Sequence, residues 1–400
     1  MDLEAALPRL RAETPACAEV VHFNHAGDSP SPRPVLDVIE AHLEREARIG
    51  GYEAEEEVAD RVRAIYASIG RLINAGTDEI AIVENATRAW DMAFYSIPLG
   101  PGDRILTSRS EYGSNTIAFL QAAARTGASV EVVPNDEHGQ VSVDALAEML
   151  DERVKVVAVS HMPTNGGLVQ PAAEIGRLTR EAGAFYLLDA CQTVGQMPID
   201  VAELGADALA ATSRKYLRGP RGVGFLYVRR DRIADLTPPL LDIHAATWVA
   251  PDRYEIQPDA RRFENWESPI AAKLGMGRAV DYALDIGLDT IWDRIQPLAA
   301  RLREELAAIP IVRALDLGRV KGGIVTFTLD GVAAADVVAA LRAQRINTSV
   351  SPVTSTRYDM EARRLDDIVR ASVHYLTTDD EIRVLVDAVA AIASGTRPAS

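Results

Sequence analysis

The sequence has 400 residues, 48% hydrophobic and 25% charged, a composition typical of soluble globular proteins and a length that exceeds one ordinary core. Its formal net charge of −16 at pH 7 argues against nucleic acid or an anionic membrane as a partner, because both bind basic surfaces. The two cysteines, Cys17 and Cys191, lie far apart, which favours a reducing, cytoplasmic environment over a disulfide framework.

Residues 1–19 predict an N-terminal arm or short helix, whose mixture of acids and arginines lacks the apolar core of a signal peptide. No apolar run approaches membrane-spanning length, and no metal site is expected. Further along, Gly50-Gly51-Tyr52 separates two segments of helical periodicity. A tyrosine at such a break is usually a half-buried cap; the alternative is that Tyr52 reaches a site across a dimer interface.

The turn Glu84–Thr87 follows a predicted strand and opens a predicted helix. Small residues at a strand-to-helix turn can cradle a phosphate, because free backbone N–H groups and the helix dipole point at the anion. The Thr87 hydroxyl could add a further contact. A plain helix N-cap is the commoner use of Thr and Asn here, so the local sequence leaves both interpretations open.

Strands and helices alternate through the first part of the chain. The predicted strands are 80–83, 104–107, 129–133, 154–160, 185–189, 209–211 and 224–228, and the predicted helices are 35–47, 53–73, 88–97, 116–126, 143–150 and 172–182. This alternation predicts an α/β fold with a mostly parallel sheet covered on both faces. Because the loops 84–87, 109–115 and 161–170 each follow a strand, we expect them to gather on one edge of the sheet.

Asp189 ends the apolar run Phe185–Leu188. It is therefore predicted at the carboxyl end of a buried strand, where open α/β sheets bind ligands. A carboxylate in such a place costs stability unless it has a cationic partner. The sequence therefore marks Asp189 as a candidate for binding a positively charged group.

Lys215 lies between two short apolar runs, at the start of a glycine-rich turn. A lysine amine attacks carbonyls only when desolvation or a nearby cation depresses its pKa, and Arg214 and Arg221 supply such cations. Alone, this segment would be a basic surface turn. A pyridoxal phosphate (PLP) enzyme, however, needs an acid to keep the ring nitrogen protonated and a lysine to bind the aldehyde, and Asp189 and Lys215 meet both needs.

The character of the chain changes after residue 228. Residues 237–258 are rich in proline with little periodicity and predict an irregular connection. The predicted elements beyond it are helices 269–286, 289–309, 333–343 and 379–393 and strands 322–328, 347–350 and 368–373. We expect three parts: an arm at 1–19, a large PLP-binding domain at 20–255 and a small C-terminal domain at 256–400.

From Val21 to Ala393 the chain resembles the class V aminotransferase and cysteine desulfurase branch of PLP fold type I. Asp189-Ala190-Cys191-Gln192 is similar to the family's Asp-x-x-Gln, and Thr212-Ser213-Arg214-Lys215 is similar to its Ser-x-His-Lys. The resemblance implies the PLP-dependent transferase fold type I, in which a large domain with a mostly parallel seven-stranded sheet carries a smaller α+β C-terminal domain. It also implies a homodimer with the site at the interface, and pyridoxal 5′-phosphate as cofactor.

The resemblance assigns roles residue by residue. The implied catalytic residues are Lys215, which binds the cofactor covalently, Asp189 on the ring nitrogen and Tyr112 over the ring. The implied cofactor contacts are Ala86, Thr87, Tyr112, Asp189, Gln192, Thr212, Arg214, Lys215 and either Thr164 or Asn165. The implied substrate-side residues are Asn24, His25, Tyr52 and Arg370, of which Arg370 would bind the carboxylate of an amino-acid substrate through its planar fork.

The chain also departs from the desulfurase pattern. Tyr112 stands where desulfurases place a histidine over the ring; it can stack, but a phenol is a poor acid–base group at neutral pH. No cysteine follows Gln192, so the desulfurase persulfide cysteine is missing. Trp266-Glu267 replaces the family's Gly-Thr, which puts in doubt a phosphate contact lent by the neighbouring subunit.

Three hypotheses follow. Gly50-Gly51-Tyr52, the segment 111–115 and the segment 213–224 resemble C–S lyases of ergothioneine and lincosamide biosynthesis, which implies β-elimination from an S-substituted cysteine. Asn24-His25 and Trp266-Glu267 resemble isopenicillin N epimerase-like proteins, which implies epimerisation with Tyr112 or His25 as second acid; transamination is a further variant. A non-catalytic scaffold is the third hypothesis, and the intact Asp189, Lys215 and Arg370 argue against it.

Overall fold

The structure is a computed structural model that describes residues 2–395. Met1 and residues 396–400, which belong to the predicted arm and the predicted C-terminal domain, lie outside the described residues. The helices are α1 Leu3–Ala12, α2 Arg33–Ile49, α3 Gly51–Ile73, α4 Ala86–Phe94, α5 Gly113–Thr126, α6 Val143–Met149, α7 Ala172–Glu181, α8 Val201–Leu204, α9 Ile270–Ile286, α10 Leu288–Ala307, α11 Ala334–Ala343, α12 Arg357–Ala362 and α13 Asp379–Ala393. The strands are β1 Val21–His22, β2 Ile80–Val83, β3 Arg104–Thr107, β4 Ser129–Val132, β5 Val154–Ser160, β6 Phe185–Asp189, β7 Ala208–Thr212, β8 Gly224–Val228, β9 Ala246–Ala250, β10 Arg253–Ile256, β11 Val312–Ala314, β12 Ile324–Leu329, β13 Ile346–Asn347, β14 Ser349–Ser351 and β15 Ile368–Ser372.

A seven-stranded sheet in the order β2-β8-β7-β6-β5-β3-β4 forms the centre of the molecule. The strands from β7 to β4 are parallel, and β8 runs antiparallel to both of its neighbours. This arrangement confirms the predicted α/β fold with a mostly parallel sheet.

Alternate residues of each central strand enter separate hydrophobic cores. In β6, Phe185 and Leu187 pack into one cluster, while Tyr186 and Leu188 pack into the other. Because both faces of the sheet are covered, the strands appear in the sequence as continuous apolar runs without polar alternation.

The register of the sheet brings the ends of three strands together. Asp189 at the end of β6 lies between Ser160 of β5 and Ala210 of β7. Thr212 of β7 is paired with Gly224 of β8, whose other neighbour is Val83 of β2. The loops that follow β2, β3, β5, β6 and β7 therefore share one edge, as the sequence predicted.

A second, four-stranded antiparallel sheet in the order β11-β12-β15-β14 lies in the C-terminal part of the chain. Its central strands carry Thr326 opposite Arg370, and Ser349 of β14 also pairs with Arg370. The helices α10 and α11 pack on this sheet, and α13 packs on both of them. The domain boundaries at residues 19 and 255 stay predictions.

Several element predictions were wrong in detail. Residues 246–256, predicted as part of an irregular connection, form the antiparallel hairpin β9–β10. Most side chains of this hairpin are exposed, so its sequence lacks the alternation of buried and exposed residues that predicts a strand. Helix α5 begins at Gly113, three residues earlier than predicted. The predicted strand 347–350 is divided between β13, which pairs with β1, and β14, which pairs with β15.

Strand β11 and helix α12 were not predicted. Both are short, at three and six residues, so their hydrophobic periodicity is too brief to read from the sequence. No helix within residues 2–395 combines the length and the apolar content needed to cross a bilayer.

Candidate active site

A cavity of about 350 Å³ opens at the carboxyl edge of the central sheet. Its walls come from the loops after β2, β3, β5, β6 and β7, which the parallel topology places side by side. Its lining residues are Glu84, Asn85, Ala86, Thr87, Tyr112, Asn115, Ser160, Met162, Thr164, Asp189, Cys191, Gln192, Thr212, Arg214, Lys215, Arg221 and Gly222. Most of the residues predicted for the cofactor are in this set.

Asp189 is 9% exposed at the floor of the cavity. Its Oδ1 accepts a hydrogen bond from the Cys191 N–H at 2.9 Å, and its Oδ2 accepts one from Asn115 Nδ2 at 3.0 Å. Each oxygen of the carboxylate thus has one donor and keeps acceptor capacity for a ligand. No lysine or arginine among the described residues forms an ion pair with Asp189, so a cationic ligand would complete its surroundings.

Lys215 projects into the same cavity from the turn between β7 and β8. The lysines of the sequence are Lys155, Lys215, Lys273 and Lys321, and Lys215 is the one that lines this cavity. Desolvation by the surrounding protein lowers the pKa of Lys215; Cys191 and Asp189 oppose this shift, while Arg214 and Arg370 add to it. A lowered pKa is what a lysine nucleophile or base at neutral pH requires.

Helix α4 directs its first residues at one end of the cavity. Asn85 is its N-cap and accepts from the Arg88 N–H at 2.9 Å, so the N–H groups of Ala86 and Thr87 are not used by that cap. The start of β8 lies close against this turn, since a Cβ on Gly224 would come within 3.3 Å of the Ala86 nitrogen.

Thr212 and Arg214 face the α4 turn from β7 and the loop that follows it. A helix N-terminus, hydroxyls and a guanidinium at one end of a cavity are suited to a phosphate. Asn85 is the plain N-cap that the sequence allowed for Thr and Asn, and it leaves the N–H groups of Ala86 and Thr87 available at the cavity. The phosphate contact of Thr87 stays a prediction.

Arg370 on β15 is half-buried beside the cavity. Its guanidinium donates to the Thr164 hydroxyl at 2.5 Å, to the Thr164 carbonyl at 3.2 Å and to Ser349 Oγ at 3.1 Å, and it approaches Asn24 Oδ1 at 3.5 Å. Burial lowers the pKa of Arg370 to about 10, so the group stays cationic at neutral pH. No carboxylate of residues 2–395 pairs with it, which fits a site for an external carboxylate.

Tyr112 lies at the mouth of the cavity, with its side chain 37% exposed. It is the N-cap residue of α5, and its backbone N–H donates to Glu111 Oε1 at 2.9 Å. This contact fixes the backbone while the phenol ring remains free to cover a planar ligand.

Gln192 and Thr164 meet at the wall between the β5 and β6 loops. Gln192 Nε2 donates to the Ala26 carbonyl at 3.1 Å and approaches the Thr164 hydroxyl at 3.4 Å. Its Oε1 is buried without a hydrogen-bond partner in the described structure. A buried, unpaired amide oxygen at a cavity wall is satisfied by a ligand donor, such as the hydroxyl of a pyridoxal ring.

Asn165 turns away from the cavity. Its side chain donates to Asp359 Oδ2 at 2.9 Å, and its carbonyl accepts from the Thr326 hydroxyl at 3.2 Å. Of the two residues left open by the sequence, the structure places Thr164 in the cavity wall and not Asn165.

The structure also separates one predicted substrate residue, His25, from the cavity. His25 is 3% exposed, contacts Ser29 Oγ at 3.0 Å and stacks on His374 with ring centroids 4.7 Å apart. Burial lowers the pKa of His25 well below its usual value, and His22, His374 and Arg218 lower it further, so it is a poor proton donor. Tyr52 is 74% exposed on α3 and lines a different cavity together with Trp266. Its role at a site across a dimer interface stays a prediction.

Three residues near Asp189 were missed by the sequence analysis: Glu111, Asn115 and Ser160. Glu111 is 1% exposed and Asn115 is 3% exposed, yet both read as polar loop residues in the sequence. The sequence could have indicated Glu111 and Asn115, because the loop after β3 was predicted on the same edge of the sheet as Asp189.

The model of the family described as aminotransferase class-V matches residues 21–385. The chain belongs to this family. A probable cysteine desulfurase of Methanothermobacter thermautotrophicus is 28% identical over 396 residues, which cover 96% of this chain and 97% of the relative. A probable cysteine desulfurase of Xylella fastidiosa is 30% identical over 349 residues, which cover 83% of each chain.

Solved structures agree with this assignment. A complex of the cystine C–S lyase C-DES with its reaction product, cysteine persulfide, is similar at a TM-score of 0.85 and 25% identity, over 94% of this chain and 99% of that one. The apo structure of cysteine desulfurase from Thermococcus onnurineus NA1 shares the fold, with a TM-score of 0.89 and 24% identity, over 97% and 98% of the two chains. The predicted family, PLP fold type I and the PLP cofactor are confirmed: this class V chain is a PLP-dependent enzyme.

Proposed function

We propose that this protein cleaves the Cβ–S bond of an S-substituted cysteine by β-elimination. The position of its two thiols carries this proposal. A desulfurase that stores sulfur on the protein needs a reactive cysteine, and neither thiol here meets that need. Burial raises the pKa of Cys191 well above its usual value, and Asp189 adds to the effect.

Cys17 is equally unsuited. It lies in a separate hollow with Thr14, His22 and His25, and burial raises the pKa of its thiol although Arg11 and Arg218 oppose the shift. On this proposal the sulfur leaves with the substrate fragment, as a thiol. The similarity to the cystine C–S lyase C-DES supports the same reaction class.

The residues of the cavity can be given roles on this basis. Arg370 binds the substrate carboxylate through its guanidinium fork, with Asn24 beside it. When bound, the pyridoxal ring withdraws electrons from the α-carbon of the amino acid and so acidifies its α-proton. Asp189 would hold the ring nitrogen protonated, and Gln192 and Thr164 would contact the ring hydroxyl.

Lys215 would hold the cofactor covalently, and its free amine would remove the α-proton of the substrate as general base. The Cβ–S electron pair leaves with the sulfur, which takes up a proton to become a thiol. The three-carbon fragment adds water and yields pyruvate and ammonia. The phosphate would be held by Ala86, Thr87, Thr212 and Arg214, which would keep the ring in place.

Epimerisation at Cα and transamination use the same first step. Epimerisation needs a second acid on the opposite face of the substrate, and the buried His25 does not reach the cavity, which leaves Tyr112. The assay is incubation of the enzyme with S-methyl-, S-allyl- and unsubstituted L-cysteine, with thiol, pyruvate, alanine and D-amino acid measured in parallel and Lys215→Ala as the inactive control. Thiol and pyruvate in equal amounts support elimination; a D-amino acid or a keto acid that retains sulfur contradicts it.

We also propose a cytoplasmic homodimer. The cross-strand pair Trp248 and Tyr254 of the β9–β10 hairpin is 73% and 58% exposed, and Trp266 is 56% exposed. Exposed large aromatic side chains are enriched at protein–protein interfaces. Light scattering on the purified enzyme checks this, with a dimer expected and a monomer at micromolar concentration contradicting it.

A further inference from the structure

Glu111 is a buried carboxylate placed directly behind Asp189. Its Oε1 accepts hydrogen bonds from the Ser160 hydroxyl at 2.7 Å, Asn115 Nδ2 at 2.8 Å and the Tyr112 N–H at 2.9 Å. Its Oε2 accepts from the Ser160 N–H at 2.8 Å. The hydroxyls of Thr107 and Ser108 add longer contacts to Oε2, at 3.4 and 3.5 Å. Six donors thus converge on one carboxylate, and none of them is a lysine or arginine.

Asn115 connects this carboxylate to Asp189. The same Nδ2 atom donates to Glu111 Oε1 and to Asp189 Oδ2, at 2.8 and 3.0 Å. The amide oxygen cannot take this place, because it would then face two acceptor oxygens. Glu111 therefore fixes which way round the Asn115 amide lies, and the amide in turn fixes one oxygen of Asp189.

The arrangement has an energetic cost. Burial, and to a smaller extent the charge of Asp189, raises the pKa of Glu111 to about 7, although the hydrogen bonds from Ser160, Asn115 and the Tyr112 N–H lower it. A glutamine here would fill the same volume without burying an acid. A second carboxylate behind the first has a clear use only if a positive charge lies in front of them.

We propose that Glu111 and Asn115 are positioning residues for the cofactor's ring nitrogen, acting through Asp189. Asn115 fixes the orientation of the Asp189 carboxylate, and the negative charge of Glu111 favours the protonated ring nitrogen. This inference rests on the proposed role of Asp189 and assigns two further residues to the same site.

The exchange Glu111→Gln removes the charge and keeps the shape. It also replaces one accepting carboxylate oxygen of Glu111 by an NH₂ group. This NH₂ group cannot accept the hydrogen bonds that Ser160 and Asn115 donate to Glu111. If the Asn115 amide reverses in response, its oxygen faces Asp189 and repels it. Asn115→Ala removes the connection while leaving the Glu111 carboxylate and its contacts with Ser160 in place.

The test is the ¹⁵N NMR shift of the ring nitrogen in holoenzyme reconstituted with [¹⁵N]PLP, recorded against pH, together with the dissociation constant of the cofactor. The variants are Glu111→Gln, Asn115→Ala and, as a positive control, Asp189→Asn. Glu264→Gln is the matched control, because Glu264 is also 1% exposed and accepts from Tyr66 and the Ile82 N–H away from this cavity.

We expect a protonated ring nitrogen across the pH range in the wild type and in Glu264→Gln. Glu111→Gln and Asn115→Ala should both shift the resonance toward the neutral form at alkaline pH and weaken cofactor binding about tenfold, the effect of one charge-assisted hydrogen bond. These readouts would not follow from a merely structural role, which lowers only thermal stability.

Unchanged shifts and affinities in both variants, with a changed shift in Asp189→Asn, would overturn the positioning role alone. A changed resonance in Glu111→Gln with an unchanged one in Asn115→Ala would overturn the role of the Asn115 amide as the connection to Asp189. An equal change in the control Glu264→Gln would overturn it as well. If Asp189→Asn itself leaves the resonance unchanged, the assigned role of Asp189 fails instead. Should Glu111→Gln not fold, Asn115→Ala decides the question.

Discussion

Arg370 and Thr164 are joined by a hydrogen bond from the guanidinium to the threonine hydroxyl, with an N···O distance of 2.5 Å. The same hydroxyl lies 3.4 Å from Gln192 Nε2. Thr164 thus connects the residue proposed for the substrate carboxylate with a residue proposed for the cofactor ring. The two binding functions meet although they come from β15, the loop after β5 and the loop after β6.

Arg370→Lys should raise the KM for the amino-acid substrate about tenfold to a hundredfold, because a point charge cannot replace a planar fork that donates two hydrogen bonds. The turnover number should change much less. Steady-state kinetics with an S-alkyl cysteine measure both, and Arg313→Lys on the exposed edge of the same sheet serves as the control. An unchanged KM would show that the carboxylate is bound elsewhere.

Neither cysteine should carry substrate sulfur after turnover. Both thiols have raised pKa values through burial, so they are protonated at neutral pH and react slowly. Intact-mass spectrometry of enzyme quenched during incubation with L-cysteine checks this. A mass increase of one sulfur atom that is reversed by dithiothreitol, mapped to Cys17 or Cys191, would establish a persulfide route and refute the elimination proposal.

Acid should destabilise the protein through a buried histidine cluster. His25 and His374 stack at 4.7 Å, and burial lowers the pKa of each well below the usual 6.5. The unfolded chain binds protons at these histidines below pH 6.5 while the folded chain does not, so stability is present above that pH and is lost as pH falls.

The loss should amount to about 1.4 kcal/mol per histidine for each pH unit below 6.5. Chemical denaturation at pH 7 and pH 5.5 measures it. His25→Gln should show a smaller difference between the two pH values than the wild type, and His138→Gln on an exposed loop should not. An equal acid sensitivity in His25→Gln would contradict the contribution of the cluster.

The sequence predicts the location of the site because the physics of parallel sheets is regular. Asp189 ends an apolar run and Lys215 precedes a glycine-rich turn, and topology alone sends both to the same edge. The resemblance to a known family added site residues that their local sequence does not distinguish. Arg370, for example, is one arginine among many until a pattern singles it out.

Contacts that depend on the direction of a side chain could not be predicted from the sequence. Thr164 and Asn165 are adjacent, and only the packing of Asn165 against Asp359 decides which one lines the cavity. His25 follows Asn24, yet the chain turns it into a histidine cluster. Glu111 was missed because a glutamate within a polar loop is normally exposed, and its burial arises from strands β3 and β5 that are distant in sequence.

The central claim is that PLP is held covalently by Lys215 in the cavity at the sheet edge. Borohydride reduction of the holoenzyme, followed by peptide mass mapping, tests it most directly, because Lys155, Lys273 and Lys321 provide internal alternatives in the same digest. We predict that the reduced cofactor is found on the peptide that contains Lys215 and that the yellow absorbance is bleached. Attachment to another lysine, or to none, would contradict the account.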